Sequence, residues 1–301
     1  MKPRNNCPCC KSSTSLSSLF LKKNIQTNKI TNFSYSSRKI PEFMNHELIR
    51  CKKCNLVYTV NPPSEKELLQ SYEDTSYDSD IEAKFAAKSY LKNLKKVKPV
   101  LFKNNNIKVL EIGSGNNAFL RLLNNQGISN LIGIEPSHKA LGELRNSDGI
   151  TMYNQYQREN FQDNSLDLIC CYMTLEHILN PGEMINESIR TLKSGGSISL
   201  VVHDVDALLN KLLGKFSPII DIEHLQIFSK KTIKYWLSSL DFKNVKINSL
   251  VNSYPISYWI KLLPIPKLVK KFIINLFNKI GISNYIFSAD VGNLFIVADK
   301  K

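Results

Sequence analysis

The sequence predicts an α/β fold in which helices cover both faces of a mostly parallel sheet. Apolar strand patterns alternate with amphipathic helix patterns from residue 107 onward, and the first strand runs into a glycine-containing turn, Gly113-Ser-Gly115. Such alternation is typical of parallel sheets, because each return to a parallel strand needs a crossover that is usually a helix. Two Cys-x-x-Cys pairs near the start indicate a small additional module.

The predicted elements divide the chain into four parts. Strand patterns cover residues 107–112, 131–134, 150–153, 166–172, 197–202, 245–250 and 293–298. Helix patterns cover residues 81–102, 118–125, 137–146, 183–192 and 231–240. By periodicity and composition we expect a zinc-ribbon-like module (1–60), a helical lead-in or lid (61–106), a core domain (107–254) and a C-terminal part (255–301) with an amphipathic helix and the last strand.

Composition and cysteine use narrow the class of protein. Hydrophobic residues make up 43% of the 301, yet no stretch of eighteen apolar residues occurs, so we expect no membrane-spanning helix. The first residues lack the apolar core of a signal peptide. Seven cysteines, four of them in Cys-x-x-Cys pairs, favour metal binding in a reducing cytoplasm over a disulfide framework.

The net charge of +14 lies at the two ends of the chain. Residues 1–60 carry eleven Lys or Arg against two Glu, giving +9, and residues 255–301 carry seven against two acids, giving +5. Residues 61–254 are neutral overall. Basic ends can attract nucleic acid, anionic lipid or phosphorylated substrates, but a solvated lysine-rich surface is the simpler interpretation. We therefore do not expect a nucleic-acid partner.

Four cysteines are the predicted metal ligands: Cys7, Cys10, Cys51 and Cys54. Two hooks of two thiolates complete a closed tetrahedral zinc site, which is the structural kind because it leaves no position for substrate. The alternative is four reduced cysteines in the core. Cys9 lies inside the first hook and is either a spectator or a substitute ligand.

The turn after the first predicted strand indicates a nucleotide-cofactor pocket. Gly113 and Gly115 allow the backbone to approach a ligand closely, and Glu135 ends the next strand twenty residues after Gly115. A carboxylate there can accept hydrogen bonds from ribose hydroxyls, although a charge at the start of a helix is the alternative. With Ala118 the glycines also match G-x-G-x-x-A, so a nicotinamide or flavin cofactor is a competing hypothesis.

Five segments in order and spacing resemble the Rossmann-like S-adenosylmethionine-dependent methyltransferases over about residues 107–203. The segments are Val109–Gly115, Ile132–Ser137, Phe161–Ile169, Leu175–Ile178 and Leu192–Ser197. The resemblance implies a seven-stranded sheet whose last strand is antiparallel, with S-adenosylmethionine as the cofactor. The cofactor-binding residues that it implies are Glu111, Gly113, Ser114, Gly115, Glu135, Pro136, Gln155 and Tyr172.

Two departures from the family pattern concern the cofactor. Asn117 stands where many members have a third glycine, and residues 154–157 lack the acidic residue that often holds the adenine amine. These departures affect the adenine contacts more than the family resemblance.

The segment Asp221–Ser229 resembles the Glu-His-Leu-x-x-Phe-Ser stretch of zinc-module methyltransferases, including sugar C-methyltransferases. The resemblance implies that His224 is the general base and that Glu223 orients it or acts itself, with His177 at the pocket rim and Tyr77 or Tyr72 against the substrate. A histidine pKa of about 6.5 suits proton removal at neutral pH. The alternative for His224 is a residue that packs at a helix entry.

We therefore expect a methyltransferase that acts on a small molecule, such as a sugar or nucleotide-sugar, in polysaccharide or secondary-metabolite biosynthesis. Carbon and oxygen methylation both stay open. The fourth strand ends in Cys171-Tyr-Met-Thr rather than the Asn/Asp-Pro-Pro-aromatic motif of base-amine methylators, which disfavours that class. The competing hypotheses are an RNA methyltransferase that uses the basic module, a nicotinamide-dependent oxidoreductase and a non-catalytic cofactor-binding protein.

Residues 267–280 form a strongly amphipathic helix pattern with four lysines. Such a stripe most often docks on the protein's own core, and we expect that arrangement here, with the helix as a lid over the acceptor pocket. Peripheral membrane contact through this helix is the alternative.

Overall fold

The structure, a computed structural model, describes residues 3–31, 34, 42–73, 80–137, 149–263 and 265–301. The strands are β1 (Ser17–Leu21), β2 (Leu48–Cys51), β3 (Val57–Thr59), β4 (Lys108–Ile112), β5 (Asn130–Ile134), β6 (Thr151–Tyr153), β7 (Leu166–Tyr172), β8 (Leu192–His203), β9 (Gln226–Ile227), β10 (Phe242–Pro255) and β11 (Ile286–Lys300). The helices are α1 (Glu65–Glu73), α2 (Asp80–Val97), α3 (Ala118–Asn124), α4 (Pro181–Thr191), α5 (Leu208–Leu213), α6 (Lys230–Ser238), α7 (Ile256–Leu262) and α8 (Lys267–Lys279).

A seven-stranded sheet forms the centre of the molecule, in the order β10-β11-β8-β7-β4-β5-β6. Strands β4 to β8 are parallel to one another, and β11 is antiparallel to both β8 and β10. The predicted sheet with an antiparallel last strand is therefore confirmed. The chain proceeds outward from β4 through β5 to β6 and then returns to β7 on the other side of β4. Ligands of such sheets bind at this switch point, beyond the carboxyl ends of the strands.

Helices cover both faces of the sheet because successive strand residues are buried on opposite sides. Val109 and Leu168 pack in a cluster with α2 and α3, whereas Leu110 and Ile169 belong to a second cluster with α4 and α6. Strands buried on both faces read as continuous apolar runs, and β7 (Leu-Asp-Leu-Ile-Cys-Cys-Tyr) is an example.

The last strands and the first long helix differ from their predicted lengths. Strands β8, β10 and β11 extend beyond residues 197–202, 245–250 and 293–298, because β10 and β11 pair with each other far past the apolar part of their sequences. Helix α2 ends at Val97 instead of residue 102, since Pro99 disfavours helical backbone at the preceding residue. The helix predicted over 137–146 lies almost wholly outside the described residues.

The N-terminal cysteine module shares a sheet with the core domain. Its strands form the order β1-β2-β3-β9, and β9 belongs to the chain that follows the fifth parallel strand. Val57 pairs with Ile227 and Tyr58 with Gln226. The module therefore continues directly into the segment that precedes α6, which contains the predicted catalytic Glu223 and His224.

Arg4 and Gln226 reinforce this connection. The Arg4 guanidinium donates to the carbonyl oxygens of Leu179 (2.6 Å) and Thr59 (3.2 Å) and to the side-chain oxygen of Gln226 (3.2 Å). The Gln226 amide in turn donates to the carbonyl oxygens of Leu175 (2.8 Å) and Ile178 (2.7 Å). Burial lowers the pKa of Arg4 to about 10, so it stays charged at neutral pH.

Helices α7 and α8 lie at the end of an arm formed by β10 and β11, which pair as far as Pro255 and Ile286. Helix α8 contacts α7, and its most protected apolar residues are only half-buried, namely Ile273, Ile274 and Phe277. Leu268 and Phe272 are 82% and 69% exposed. The expected docking of this stripe on the core is therefore wrong. Within the described ranges, none of the helices combines the length and apolarity that crossing a membrane requires.

Candidate active site and cysteine cluster

The four predicted cysteines converge in the N-terminal module. The Sγ atoms of Cys7 and Cys54 are 3.5 Å apart, those of Cys10 and Cys51 are 3.6 Å apart, and all four lie within 4.8 Å of one another. A tetrahedron with metal–sulfur bonds of about 2.3 Å has edges of roughly 3.8 Å, so this donor set fits a four-coordinate metal. Cys9 is buried but is not one of the four.

The two hooks fold in the same way. The residue after each second cysteine, Lys11 or Asn55, adopts a positive φ (58° and 69°). Its backbone N–H donates to the carbonyl oxygen of the first cysteine, Cys7 or Cys51, at 3.0 and 2.9 Å. Ser12 Oγ lies 3.0 Å from Cys10 Sγ and is positioned to donate to it. The local backbone thus presents both thiols of each hook to one point.

The glycine turn after β4 requires its glycines. Gly113 has φ +72°, and a Cβ there would lie 2.3 Å from Thr174 Oγ1. Asn117 adopts φ +59°, in the left-handed region that asparagine tolerates better than most residues. That conformation explains why asparagine can replace the third glycine of the family pattern.

Glu135 closes onto this turn from the end of β5. Its carboxylate accepts hydrogen bonds from the Gly115 N–H (2.8 Å) and the Ser137 N–H (3.1 Å). Glu111 on β4 is buried nearby, and the buried Ser114 Oγ has no hydrogen-bond partner among the described residues. In this arrangement the carboxylates can accept hydrogen bonds from the ribose hydroxyls and the ammonium group of S-adenosylmethionine, and the Ser114 hydroxyl can donate to its carboxylate. The residues therefore fit that cofactor.

A cavity of about 520 Å³ opens beside the turn. Its walls include Gly113, Glu135, Pro136, Thr174 and His177, and α1 and α4 border it. Leu68, Leu69 and Tyr72 of α1 line the cavity. A lid function for the 61–106 region stays a prediction.

The adenine end of the predicted site is only partly supported. Gln155 is exposed and does not line the cavity, whereas its neighbour Tyr156 does. The Tyr156 ring stacks on Phe161 at 5.0 Å, and its hydroxyl donates to Glu187 (2.7 Å). Burial, together with Glu187, raises the pKa of Tyr156 to about 12, so the hydroxyl stays protonated. Because Gln155 is exposed, Tyr156 is the better candidate for the adenine contact. The sequence pattern alone did not distinguish these two residues.

Tyr172 lies in the core rather than in the cavity wall. Its ring is 4.6 Å from the Tyr90 ring and 4.9 Å from the Phe119 ring, and its hydroxyl donates to Ser199 Oγ (3.1 Å). The predicted cofactor contact of its side chain is therefore wrong, because the alternation of β7 directs this ring to the face covered by α2 and α3.

Three histidines meet where the parallel strands end. The His224 ring is 4.9 Å from the His177 ring and 5.1 Å from the His203 ring. His177 follows β7, His203 ends β8, and His224 precedes β9. His203 was not among the predicted catalytic residues, and its position as the last residue of β8 is the sequence signal that could have identified it.

Hydrogen bonds to Nδ1 decide which nitrogen can act as a base. His177 Nδ1 lies 3.1 Å from the Glu223 carbonyl oxygen, and His224 Nδ1 lies 2.9 Å from the Ile219 carbonyl oxygen. Because a carbonyl only accepts, Nδ1 carries the proton in both neutral rings and Nε2 carries the lone pair. His224 Nε2 is 3.7 Å from a Glu223 carboxylate oxygen, which would stabilise a protonated ring.

Glu176 connects these histidines to the sheet. Its carboxylate is fully buried and accepts a hydrogen bond from the His203 N–H (2.7 Å). Burial raises the pKa of Glu176 to about 7, although the hydrogen bond opposes the rise. Burial lowers the pKa of His203 to about 4. The hydrogen bond between its Nδ1 and Asn293 Oδ1 (2.8 Å) opposes this fall. At neutral pH His203 is therefore uncharged.

Of the predicted catalytic residues, His177 lines the cavity. His224 is buried against it, and Glu223 is buried beside both, so the three are brought together. Tyr77 lies outside the described residues.

Comparison with known families identifies the class that this sheet and site define, the S-adenosylmethionine-dependent methyltransferases. A family model described as a methyltransferase domain matches residues 81–247, more than half of the chain. The chain belongs to this methyltransferase-domain family. Membership rules out the nicotinamide oxidoreductase hypothesis.

Individual relatives are distant. An uncharacterized protein of Methanocaldococcus jannaschii, MJ1123, is 29% identical over 149 residues, which are 47% of this chain and 67% of that protein. The structure of YcgJ from Bacillus subtilis has a TM-score of 0.50 and 18% identity, covering 71% of this chain and 98% of that one. The structure of the plantazolicin methyltransferase BpumL in complex with SAH has a TM-score of 0.50 and 17% identity, covering 79% of this chain and 91% of that one. At such identities the two structures show the shared fold.

We predict that Glu176→Gln changes the pH dependence of stability. The folded chain holds a proton on Glu176 up to about pH 7, whereas an unfolded Glu releases it near 4.3, so this group's contribution to stability falls as pH rises between those values. His203 acts in the opposite direction, because it takes up its proton near pH 6.5 when unfolded and near 4 when folded. The variant should gain about 2.5 kcal/mol relative to wild type between pH 5 and 8.

Urea unfolding at both pH values measures this difference. Glu159→Gln, at an exposed glutamate, is the matched control and should follow wild type at both pH values. Parallel pH profiles of wild type and the Glu176 variant would contradict the assigned protonation.

Proposed function

We propose that this methyltransferase transfers the methyl group of S-adenosylmethionine to a carbon or oxygen of a small acceptor such as a sugar or the sugar part of a nucleotide-sugar. The observation that carries the proposal is the position of His177. Its ring forms part of the wall of the same cavity that Gly113 and Glu135 line, and it contacts His224. A proton acceptor and the cofactor-binding turn thus face one enclosed space.

The cofactor would supply an activated methyl group on a sulfonium. Glu111, Ser114 and the Gly113–Gly115 backbone would hold its amino-acid end, and Glu135 its ribose hydroxyls. Glu135 now accepts the Gly115 N–H, so it would exchange or share that bond on binding. Tyr156, with Pro136, would border the adenine.

The charges around the cavity favour an uncharged acceptor group. Among the described residues, the lining includes Glu65, Glu135, Glu183 and Glu187 but no lysine or arginine. Polyanions need such cations, so the lining argues against RNA entering this cavity. The phosphates of a nucleotide-sugar would have to stay outside it. The likeness to sugar C-methyltransferases at Asp221–Ser229 supports a sugar as the acceptor class.

In the proposed reaction, the neutral His177 ring accepts the acceptor's proton at Nε2. The electron pair left on the acceptor oxygen or carbon would then be the nucleophile for the methyl group that bound S-adenosylmethionine would supply, and S-adenosylhomocysteine would be the leaving group. Glu223 holds His177 Nδ1 through its carbonyl oxygen and offers its carboxylate to His224. We therefore assign His177 as the catalytic residue and His224 with Glu223 as positioning residues, a change from the sequence-based preference for His224.

The test is methyl transfer from labelled S-adenosylmethionine to a panel of nucleotide-sugars, with RNA as a competing acceptor. Wild type should methylate a panel member, and His177→Asn should lower kcat by about 100-fold or more because the proton acceptor is lost. His177→Asn should bind S-adenosylhomocysteine like wild type. His224→Asn should shift the pH–kcat profile rather than abolish activity.

Three outcomes would contradict the proposal. They are transfer to RNA alone, an active His177→Asn enzyme, and no measurable binding of S-adenosylhomocysteine by wild type.

We propose further that the cysteine cluster holds one structural zinc ion, since the four sulfurs surround one point and leave no substrate position. Such a cluster of free thiols also supports the expected reducing cytoplasm.

Metal analysis of the purified full chain should find about one zinc per chain. Cys54→Ser should lose the metal and unfold at lower urea, because removing one ligand opens the site. Cys9→Ser, at a buried cysteine outside the cluster, is the matched control and should keep the metal. Metal-free wild type of unchanged stability would refute the zinc assignment.

A further inference from the structure

The arm that carries α7 and α8 rises from the edge of the sheet where the catalytic histidines lie. Asn293 of β11 pairs with His203 at the end of β8, and β11 begins seven residues earlier, at Ile286. At about 3.3 Å per residue the arm extends roughly 20 Å beyond this edge. Everything at its end therefore lies on the side of the molecule where ligands enter.

Helix α8 presents a row of large apolar side chains to solvent. Leu268, Phe272, Leu276 and Ile280 recur at intervals of four residues, so they lie along one side of the helix. They are 82%, 69%, 45% and 59% exposed. A row of this kind costs solubility unless something covers it.

Basic residues accompany the row. The arm segment 256–285 contains five lysines and no Asp or Glu. Lys271 and Lys279 of α8 are exposed, and Lys261 of α7 lies 3.8 Å from Glu82 of α2. The arm is thus both apolar and positively charged.

A second segment beside the arm also exposes apolar side chains. Leu208 and Leu212 of α5 are 74% and 75% exposed, and Phe216, which follows the end of that helix, is 59% exposed. Residues 207–217 contain two lysines and no acidic residue. A Cβ at Gly292 would lie 2.6 Å from Ala207 Cβ, so this segment starts against the base of the arm.

We propose that the row on α8 forms a docking surface for an anionic membrane, on which the protein binds peripherally, with the exposed side chains of residues 208–216 as a second contact. Apolar side chains on an amphipathic helix enter the boundary between headgroups and acyl chains, while neighbouring lysines are attracted to anionic lipid. A second copy of the chain is a poorer occupant, because it would bring two acid-free, lysine-bearing surfaces together. The surface is separate from the cofactor cavity, so the proposal is independent of the acceptor.

Vesicle flotation of the full chain tests the proposal. Wild type should float with phosphatidylcholine vesicles that contain phosphatidylglycerol at low salt, and should not float with phosphatidylcholine alone. Leu268→Ser/Phe272→Ser should weaken binding by about ten-fold or more. Lys271→Gln/Lys279→Gln should weaken it by about 25-fold, at roughly five-fold per lysine.

The matched control is Lys92→Gln/Lys96→Gln on α2, which removes the same charge from exposed positions outside α8 and residues 208–216. It should leave vesicle binding nearly unchanged. Titration with S-adenosylhomocysteine checks that each variant keeps its cofactor site. Three results would overturn the proposal: no flotation of wild type, equal flotation of Leu268→Ser/Phe272→Ser, or a wild-type dimer that this double variant dissociates, which would identify a second copy as the occupant.

Discussion

The pairing of β3 with β9 is the interaction on which the arrangement of the site depends. Strand β9 is only two residues long, Gln226–Ile227, and such a strand is not stable alone. It is held from one side by β3 of the cysteine module and from the other by Glu176, whose carbonyl oxygen accepts the Leu225 and Gln226 N–H groups. His224 lies two residues before the start of this strand, so the module restrains where the His224 ring meets His177.

Under the proposed function, the cysteine cluster would support the site from a distance. Cys51 and Cys54 lie at the turn between β2 and β3, and Cys7 and Cys10 connect that turn to the chain that carries Arg4. Arg4 contacts the carbonyl oxygens of Leu179, two residues after His177, and Leu225, the residue after His224. A small module of this size has little core of its own, and a metal can replace the missing hydrophobic stabilisation. The metal would thereby position catalytic groups without touching them.

The sequence was sufficient to predict the parts of the fold that local chemistry determines. The alternation of apolar strands and helices predicted the central sheet, and two Cys-x-x-Cys pairs predicted the cluster. Periodicity could not predict the insertion of β9 into the N-terminal sheet, because a two-residue strand has no periodic signal. The length of the β10–β11 arm was also missed, because its pairing continues through polar residues such as Ser253 and Ser288, which carry no apolar strand pattern.

The backbone elements of the site were predicted better than the directions in which its side chains point. The glycine turn and Glu135 follow from a fixed strand–turn–helix geometry, and Gly113 and Glu135 both line the cavity. Their contacts with the cofactor stay a prediction. Tyr172 and Gln155 depend on which way a strand residue or loop residue faces, and neither lines the cavity. The three-histidine cluster needed tertiary structure, because His177, His203 and His224 come from three separate connections.

Hydrogen exchange before and after treatment with a zinc chelator tests most directly whether the module holds the catalytic segment. If it does, amides of residues 222–228 lose protection on chelation, while amides of β4 in the central sheet keep theirs. Unchanged protection of residues 222–228 in protein shown to be free of metal would contradict the claim that the module holds this segment in place.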